Sequence, residues 1–347
     1  MKNIRKFNTT ADMEAAVLTE PYVLYNEETG LVYSNHNGGS NDNDVDYSVE
    51  YLTFEAIEDS TFKLTQNTCQ YSLDEGNTWT SLSKGTNTPT VSAGNKIMFK
   101  KANPSISYAV GIGTFSSTGK FNISGNIMSI LYGDDFIGKT YLTGKYYAFS
   151  RLFKGCSNVV DTSNLILPAT TLIDECYSNM FEGCTSLTTA PELPATTLAE
   201  KCYSNMFKGC TSLTTAPELP ATTLTKYCYH SMFSGCTALV TAPALPATIL
   251  AESCYGYMFS YCTSLVTAPA LPATKLANYC YCDMFENCSS LNHITMLATN
   301  ISASDCLIYW VSGVSSTGTF VKHPDMTSLP TGTSGIPEGW VVEDAVL

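Results

Sequence analysis

From Leu167 to residue 311 the apolar positions return every 26 residues without a gap, and a partial unit upstream is set off by two extra residues. The six-residue run LPATTL begins at Leu167, Leu193 and Leu219, and its variants LPATIL and LPATKL begin at Leu245 and Leu271. One unit reads LPAT-x-L-xxx-CY-xx-MF-xx-C-xx-L-xx-AP-x, with Leu172, Cys176, Tyr177, Met180, Phe181, Cys184 and Leu187 as its apolar frame. The frame recurs through Phe285, Cys288 and Leu291. Its ends are degenerate. Upstream, Leu152, Phe153, Cys156 and Val159 form a partial unit; downstream, Cys306 keeps the spacing, and Trp310 and Val311 stand where Met and Phe would fall. A unit burying about five large side chains gains about 2 kcal/mol from each. Ordering its residues costs about 1.5 kcal/mol apiece, so a unit is stable only when stacked on others. The pattern predicts a solenoid with capped ends. Leu187–Ala190 predicts a short strand ended by Pro191, the strands stacking in parallel, and Cys176–Cys184 an irregular or single helical turn.

The segment MFEGCTSLTTAPELPATTL and its copies resemble the leucine-rich repeats of BspA-like, Treponema-type proteins, whose unit places Phe, Cys, Leu and Pro in this phase. Met before Phe, and Ala190 and its equivalents, depart from that pattern at core positions. The resemblance implies a curved solenoid used for adhesion or protein contact.

Upstream, the period changes. Tyr51–Ala56, Thr61–Leu64 and Lys96–Lys100 alternate as strands do, punctuated by Gly, Asn, Ser and Pro. Residues 47–135 thus predict an antiparallel, Ig-like β-sandwich. Ser72-Leu73-Asp74-Glu75-Gly76-Asn77-Thr78-Trp79 is similar to the Asp-box of sialidases, which is a hairpin turn and not a catalytic element. A sialidase also needs three arginines on the substrate carboxylate, and this chain has only Arg5 and Arg151.

Residues 1–46 predict an attachment segment and polar linker. Thr9-Thr10-Ala11-Asp12 starts a short helix running to about Leu18. Tyr22–Tyr25 and Leu31–Tyr33 flank Asn26–Gly30 as a hairpin, and residues 34–44 are the linker. So small a segment needs an apolar partner elsewhere, with Phe7, Tyr22, Leu24, Leu31 and Tyr33 as its candidate anchor residues. The segment KFNTTADMEAAVLTEPYVLYNEETGLVYS also resembles the start of virion structural proteins of crAss-like Bacteroidales phages. That likeness implies a head or tail fibre fixed to other virion proteins through residues 1–46. It also implies a homo-oligomer, as a trimer, assembled in the bacterial cytoplasm and displayed on the virion surface. At the other end, residues 312–347 predict a C-terminal cap on the last repeat of the 136–311 solenoid, with Trp340 as its anchor.

The charge balance removes one class of partner. The chain of 347 residues carries a net charge of −13, which repels nucleic acid. No run of about 18 apolar residues predicts a membrane-spanning helix. The first residues read as polar and acidic where a signal peptide would be apolar.

Twelve of the fourteen cysteines fall in repeat register, and Cys69 and Cys282 do not. Their C-x7-C spacing and the scattered histidines argue against a metal site. The absence of an export signal argues against a disulfide framework. They are expected to be unpaired core fillers in two ladders. Cys282 occupies a slot held elsewhere by Ser178, Ser204, His230 and Gly256, and is expected to be an exposed free thiol. No metal, cofactor or catalytic residue is expected: no paired carboxylates stand out for glycosidase chemistry, and Cys228, beside His230, belongs to a core ladder.

Repeat slots that differ between copies hold Tyr227, His230, Tyr257, Tyr261 and Tyr279. Exposed Tyr at such slots suits contact with a host-surface glycan or protein. The leading expectation is a non-enzymatic phage appendage presenting a repeat arm. The alternatives are a bacterial BspA-like adhesin at the cell surface and an intracellular scaffold.

Overall fold

The computed structural model describes residues 3–7, 22–26, 32–34, 46–102 and 114–346. The chain divides into two compact units, Met1–Glu50 and Tyr51–Leu347. It is mainly β, and its one described α-helix is a single turn.

In the first unit, β1 (Asn3–Phe7) runs parallel to β2 (Tyr22–Asn26), and β2 pairs antiparallel with β3 (Val32–Ser34). The expected hairpin is therefore the β2–β3 pair, with β1 as an added edge. Phe7, Tyr22, Leu24 and Tyr33 are positions on these strands, whereas Leu31, the expected helix and the linker after Ser34 lie outside the described residues.

The second unit begins with β4 (Leu52–Ala56), β5 (Phe62–Leu64), β6 (Cys69–Ser72), β7 (Thr80–Leu82), β8 (Lys96–Lys101), β9 (Phe115–Ser117) and β10 (Phe121–Asn126). The helical turn α1 (Ser129–Tyr132) follows, and β11 (Asn164–Ile166) comes from the repeat region. One sheet has the order β11-β10-β4-β8-β6-β7, and β5 pairs with β9 in a second. Their facing side chains form a phenylalanine cluster. Phe54 lies 4.7 Å from Phe99, 4.9 Å from Phe121, 5.0 Å from Phe115 and 5.3 Å from Phe62, ring centre to ring centre.

Two features differ from a free-standing antiparallel domain. Strand β11, beyond residue 135, joins β10 in parallel. The amides of Phe115, Phe121 and Ile123 also donate to carbonyls of Leu152, Asn158 and Asp161 in the first, degenerate repeat. Parallel pairing satisfies the edge of β10 and covers the open end of the repeats with the same contact. Between β6 and β7, Asp74 accepts from the Thr78 amide and both hydroxyls of Ser72 and Thr78, and Trp79 packs edge-on to Tyr51 at 4.8 Å. These bonds hold the Asp74 carboxyl down to about 2, and the Asp-box is a turn, as its sequence implies.

The repeats themselves are built from turns. Each carries three residues of positive φ, four apart; in one copy these are Glu175 (56°), Asn179 (58°) and Gly183 (74°). The left-handed residue reverses the chain after each short turn, so of the two expected forms Cys176–Cys184 takes the irregular one, as a run of tight turns. Backbone amides alternate between two partners. His230, Met232 and Ser234 close local turns onto Tyr227, Tyr229 and Ser231, while Tyr229, Ser231 and Phe233 donate to Cys254, Gly256 and Met258 of the next repeat. Every amide of this stretch is thereby satisfied without a long strand. The expected Leu187–Ala190 strand contracts to one bridging residue, in the parallel column Asp161–Thr189–Thr215–Thr241, because Pro191 has no amide to extend it.

Two aromatic columns run through the interior. Phe115, Phe153, Phe181, Phe207, Phe233, Phe259 and Phe285 stack at 5.3–5.8 Å. Phe149 begins a parallel column of Tyr177, Tyr203, Tyr229, Tyr255 and Tyr281. Both end on Trp310, 6.1 Å from Phe285 and 6.4 Å from Tyr281. Its large indole compensates for the small Val311 beside it. The bridging column then widens into a parallel sheet of β12 (His293–Met296), β13 (Thr319–Lys322) and β14 (Val341–Asp344). Trp340 fastens this end, its Nε1 donating to the Ser315 carbonyl at 2.7 Å.

All fourteen cysteines are unpaired and buried. In one ladder each thiol has a constant partner: Cys184, Cys210, Cys236 and Cys262 donate to the carbonyls of Phe153, Phe181, Phe207 and Phe233 at 3.1 Å. Burial pushes the Cys236 thiol up to about 12. Cys282 corrects its expectation. It is 8% exposed, because its thiol donates to Asp283 Oδ2 at 2.7 Å and the rings at 257 and 279 stand beside it.

Candidate functional site

Four of the five varied residues, Tyr227, Tyr257, Tyr261 and Tyr279, stand at left-handed positions, and His230 precedes one. Tyr227 and Tyr279 occupy the first such position of their repeats, at φ 56° and 55°, and Tyr257 the second, at 58°. Tyr257 and Tyr279 are exposed, and Tyr227 is half-buried. The structure brings four of the five candidate contacts together. Tyr227, His230, Tyr257 and Tyr279 line one open cleft of about 280 Å³ with Glu252, Ser253, Gly256 and Cys282. Tyr261 lies outside that lining, although it is 51% exposed.

The cleft exists because of a missing side chain. Gly256 stands between His230 and Cys282 in the column that holds Ser in earlier repeats. A Cβ placed on it would lie 3.2 Å from His230 Cδ2 and 3.5 Å from the Tyr279 carbonyl. Gly256 is therefore the floor, and aromatic rings are the walls: His230 is 5.6 Å from Tyr227 and 5.5 Å from Tyr257.

The charged groups around the cleft are engaged. Glu252 accepts from Lys226 Nζ at 2.8 Å and from the Tyr227 hydroxyl at 3.4 Å, and Lys226 holds its carboxyl below the usual range. Tyr279 is bonded to Asp305, which raises its phenol. Tyr257 is raised by burial and by its bond to Asp283. His230 is half-buried rather than exposed; burial, with Lys208 second, lowers its pKa, so it is neutral at pH 7. Its Nδ1 is 3.1 Å from Ser231 Oγ. When Ser231 donates to Nδ1, Nε2 carries the proton toward the gap above Gly256. No group of three His, Cys, Asp or Glu side chains is placed to hold a metal ion among the described residues.

Tyr261 raises a different question. The equivalent position is Gly155, Gly183, Gly209, Gly235 and Gly313 in five other repeats and Asn287 in a sixth, yet Tyr261 takes φ 63° there. A non-glycine residue in this region carries about 1–2 kcal/mol of strain, and an exposed ring recovers little of it. Tyr261→Gly is expected to stabilise the chain by about 1 kcal/mol net of the extra freedom glycine has when unfolded, a rise of about 2 °C in Tm. Calorimetry checks this; a lower Tm shows that the ring contributes packing that outweighs its backbone.

Residues 147–266 and 174–310 match the family described as BspA type leucine-rich repeat region, in six copies. Neither the curated proteins nor the solved structures contain a match to the chain. The repeat region is thus similar to leucine-rich repeats of the BspA type, in agreement with the phase of its Phe, Cys, Leu and Pro positions.

Proposed function

We propose that this chain is a recognition protein of the surface-adhesin kind. In this reading the repeats form a solenoid, residues 47–135 a β-sandwich that closes one end, and residues 312–347 a cap on the other. The variable face of the coils meets the partner. The observation that carries the reading is the division of labour within each repeat. The apolar frame repeats almost unchanged, while the left-handed positions, half-buried at Glu175, Asn179 and Lys201, change to tyrosines that share a cleft. The likeness of the repeats to the BspA type supports adhesion at a bacterial cell surface. The role is non-enzymatic. His230 has Ser231 as its side-chain partner, and the neighbouring Cys228 thiol is pushed up to about 12 by burial, so the pair lacks a thiolate nucleophile.

Labelled full-length protein applied to intact epithelial cells and intact bacterial cells, read by flow cytometry, tests this. Saturable retention is expected on at least one surface, reduced by the double substitution Tyr257→Ala and Tyr279→Ala. Absence of saturable retention on both overturns it. The narrower reading, a phage appendage trimerised and anchored through residues 1–46, rests on the N-terminal residues alone and has no matching relative behind it. Light scattering that finds a monomeric full chain removes its trimer.

A further inference from the structure

We infer that the cleft over Gly256 is a binding site for a neutral sugar ring, reached end-on as the terminal residue of a glycan. The inference rests on the recognition reading above and names the chemistry of one site within it.

Size comes first. At about 280 Å³ the cleft lies just below the range of about 300–1,000 Å³ usual for small-ligand pockets. It therefore suits one ring rather than a chain of residues. Shape follows from the residues. Tyr227 and Tyr257 both pack on His230, at 5.6 and 5.5 Å with ring planes inclined by 60° and 53°, so the three rings form one continuous aromatic surface along the cleft. Such surfaces attract the polarised C–H groups of a pyranose face, because the negative face of an aromatic ring meets partial positive charge. A flat apolar chain would fill the walls equally well, but the cleft also carries polar groups: Ser253, the Glu252 carboxylate and the His230 ring nitrogens. A ring with an apolar face and a hydroxyl-bearing rim matches that alternation.

Charge selects among sugars and against peptides. Glu252 is already paired with Lys226. The flanking carboxylates Asp283 and Asp305 accept from Tyr257 and Tyr279 and hold those rings in place. A cationic peptide would find carboxylates that have partners already, and would have to displace Lys226 from Glu252. An anionic sugar would enter beside Glu252 in a chain of net charge −13, with His230 neutral. A neutral, hydroxyl-rich ligand encounters neither penalty.

Three walls of the cleft, Tyr227, Tyr257 and Tyr279, hold positive φ, as do Tyr147 and Tyr309 at the same positions away from it. What distinguishes the cleft is that three such rings meet around one floor.

Gly256 supplies a clean test. Its φ is not in the left-handed region, and Ser178 and Ser204 occupy the same slot in other repeats, so Gly256→Ser is compatible with the fold while it fills the floor. The probe is a printed panel of neutral, sialylated and sulfated oligosaccharides, together with epithelial surface proteins before and after enzymatic removal of their glycans. Saturation-transfer NMR with free neutral monosaccharides accompanies the panel. Full-length protein is expected to bind a subset of the neutral glycans. Gly256→Ser and Tyr257→Ala should each weaken that binding about tenfold or more, while Asn179→Ala, at the Tyr257 position in a distant coil, leaves it unchanged. Three results overturn the inference: neutral-glycan binding that survives Gly256→Ser, preference for the sialylated or sulfated members, or no glycan binding. If deglycosylated surface proteins are still bound, the recognition reading stands and the sugar site falls. If neither glycans nor proteins are bound, both fall.

Discussion

Raising the pH from 8 to about 10 is expected to unfold the repeats. Eleven of the fourteen cysteines, including Cys176, Cys202, Cys228, Cys254 and Cys280, have no exposed surface. Burial raises their thiols from an ordinary value near 9 to about 12 for Cys176, Cys228 and Cys236, and well above 9 for Cys202 and Cys254. A folded-state pKa above the unfolded one stabilises the native state fully below pH 9. That stability is lost as the pH rises toward 12, because the unfolded chain releases protons that the folded chain retains. One pH unit above the ordinary value, each such thiol opposes folding by about 1.4 kcal/mol. Eleven together reach the whole stability of a typical domain, about 5–15 kcal/mol. The buried phenols of Tyr177, Tyr203 and Tyr255 are raised by burial as well and add to the effect at higher pH. Circular dichroism followed from pH 7 to pH 12 should show a steep, cooperative loss near pH 10. Native signal persisting at pH 11.5 contradicts the burial of the ladders. At pH 8 the same thiols should resist alkylation by iodoacetamide and react together once urea is added.

The second large effect is the loss of one ring from the middle of a column. Phe233→Ala removes contacts with Phe207 at 5.7 Å and Phe259 at 5.8 Å and leaves a cavity walled by both. Buried Phe→Ala substitutions cost about 3–5 kcal/mol. Stability in a stack of repeats is a sum of unit and nearest-neighbour terms, and Phe233 contributes to both interfaces of its unit. Urea unfolding should show the midpoint lowered accordingly, with Phe233→Leu losing much less. A cost below about 1 kcal/mol would mean the column is loosely packed at this point.

The apolar frame is legible in the sequence because a period that recurs without gaps leaves one consistent register. Leu172, Tyr177, Met180, Phe181 and Cys184 are buried as that register requires. The backbone is much less legible. The left-handed positions hold Glu175, Lys201, Tyr227, Ser253, Tyr279 and Asp305 in one column, and apart from Asp305 none of these types announces positive φ. The third column, rich in glycine, gives a signal, and Asn179, Asn205 and Asp283 in the second give a weaker one. The sharing of an edge between β10 and β11 is hidden for another reason: parallel pairing joins segments some forty residues apart, and local alternation says nothing about which edge meets which. At the candidate site, variability between copies singles out Tyr227, His230, Tyr257 and Tyr279. It misses Glu252, which looks like an ordinary surface carboxylate, and the importance of Gly256. An absent side chain becomes a cavity only once the neighbours on both sides are known. Cys282 is misplaced by the same logic, since a variable slot can be covered by the rings of adjacent coils.

The constant offset between donor and acceptor from coil to coil also bears on how such a chain can be inherited. Each coil donates a row of amides to its successor's carbonyls and offers the same row of carbonyls to its predecessor's amides. Excision of one whole unit, such as Leu193 through Pro217 with Glu218, joins two surfaces that already correspond. Insertion of a unit does the same. Nearly identical copies favour such exchanges at the level of the gene, so the repeat region can lengthen or shorten by whole units without passing through an unfolded ancestor. The cleft is the exception. It draws on three successive coils, from Tyr227 to Cys282, and any exchange whose junction falls within them must remake the pocket.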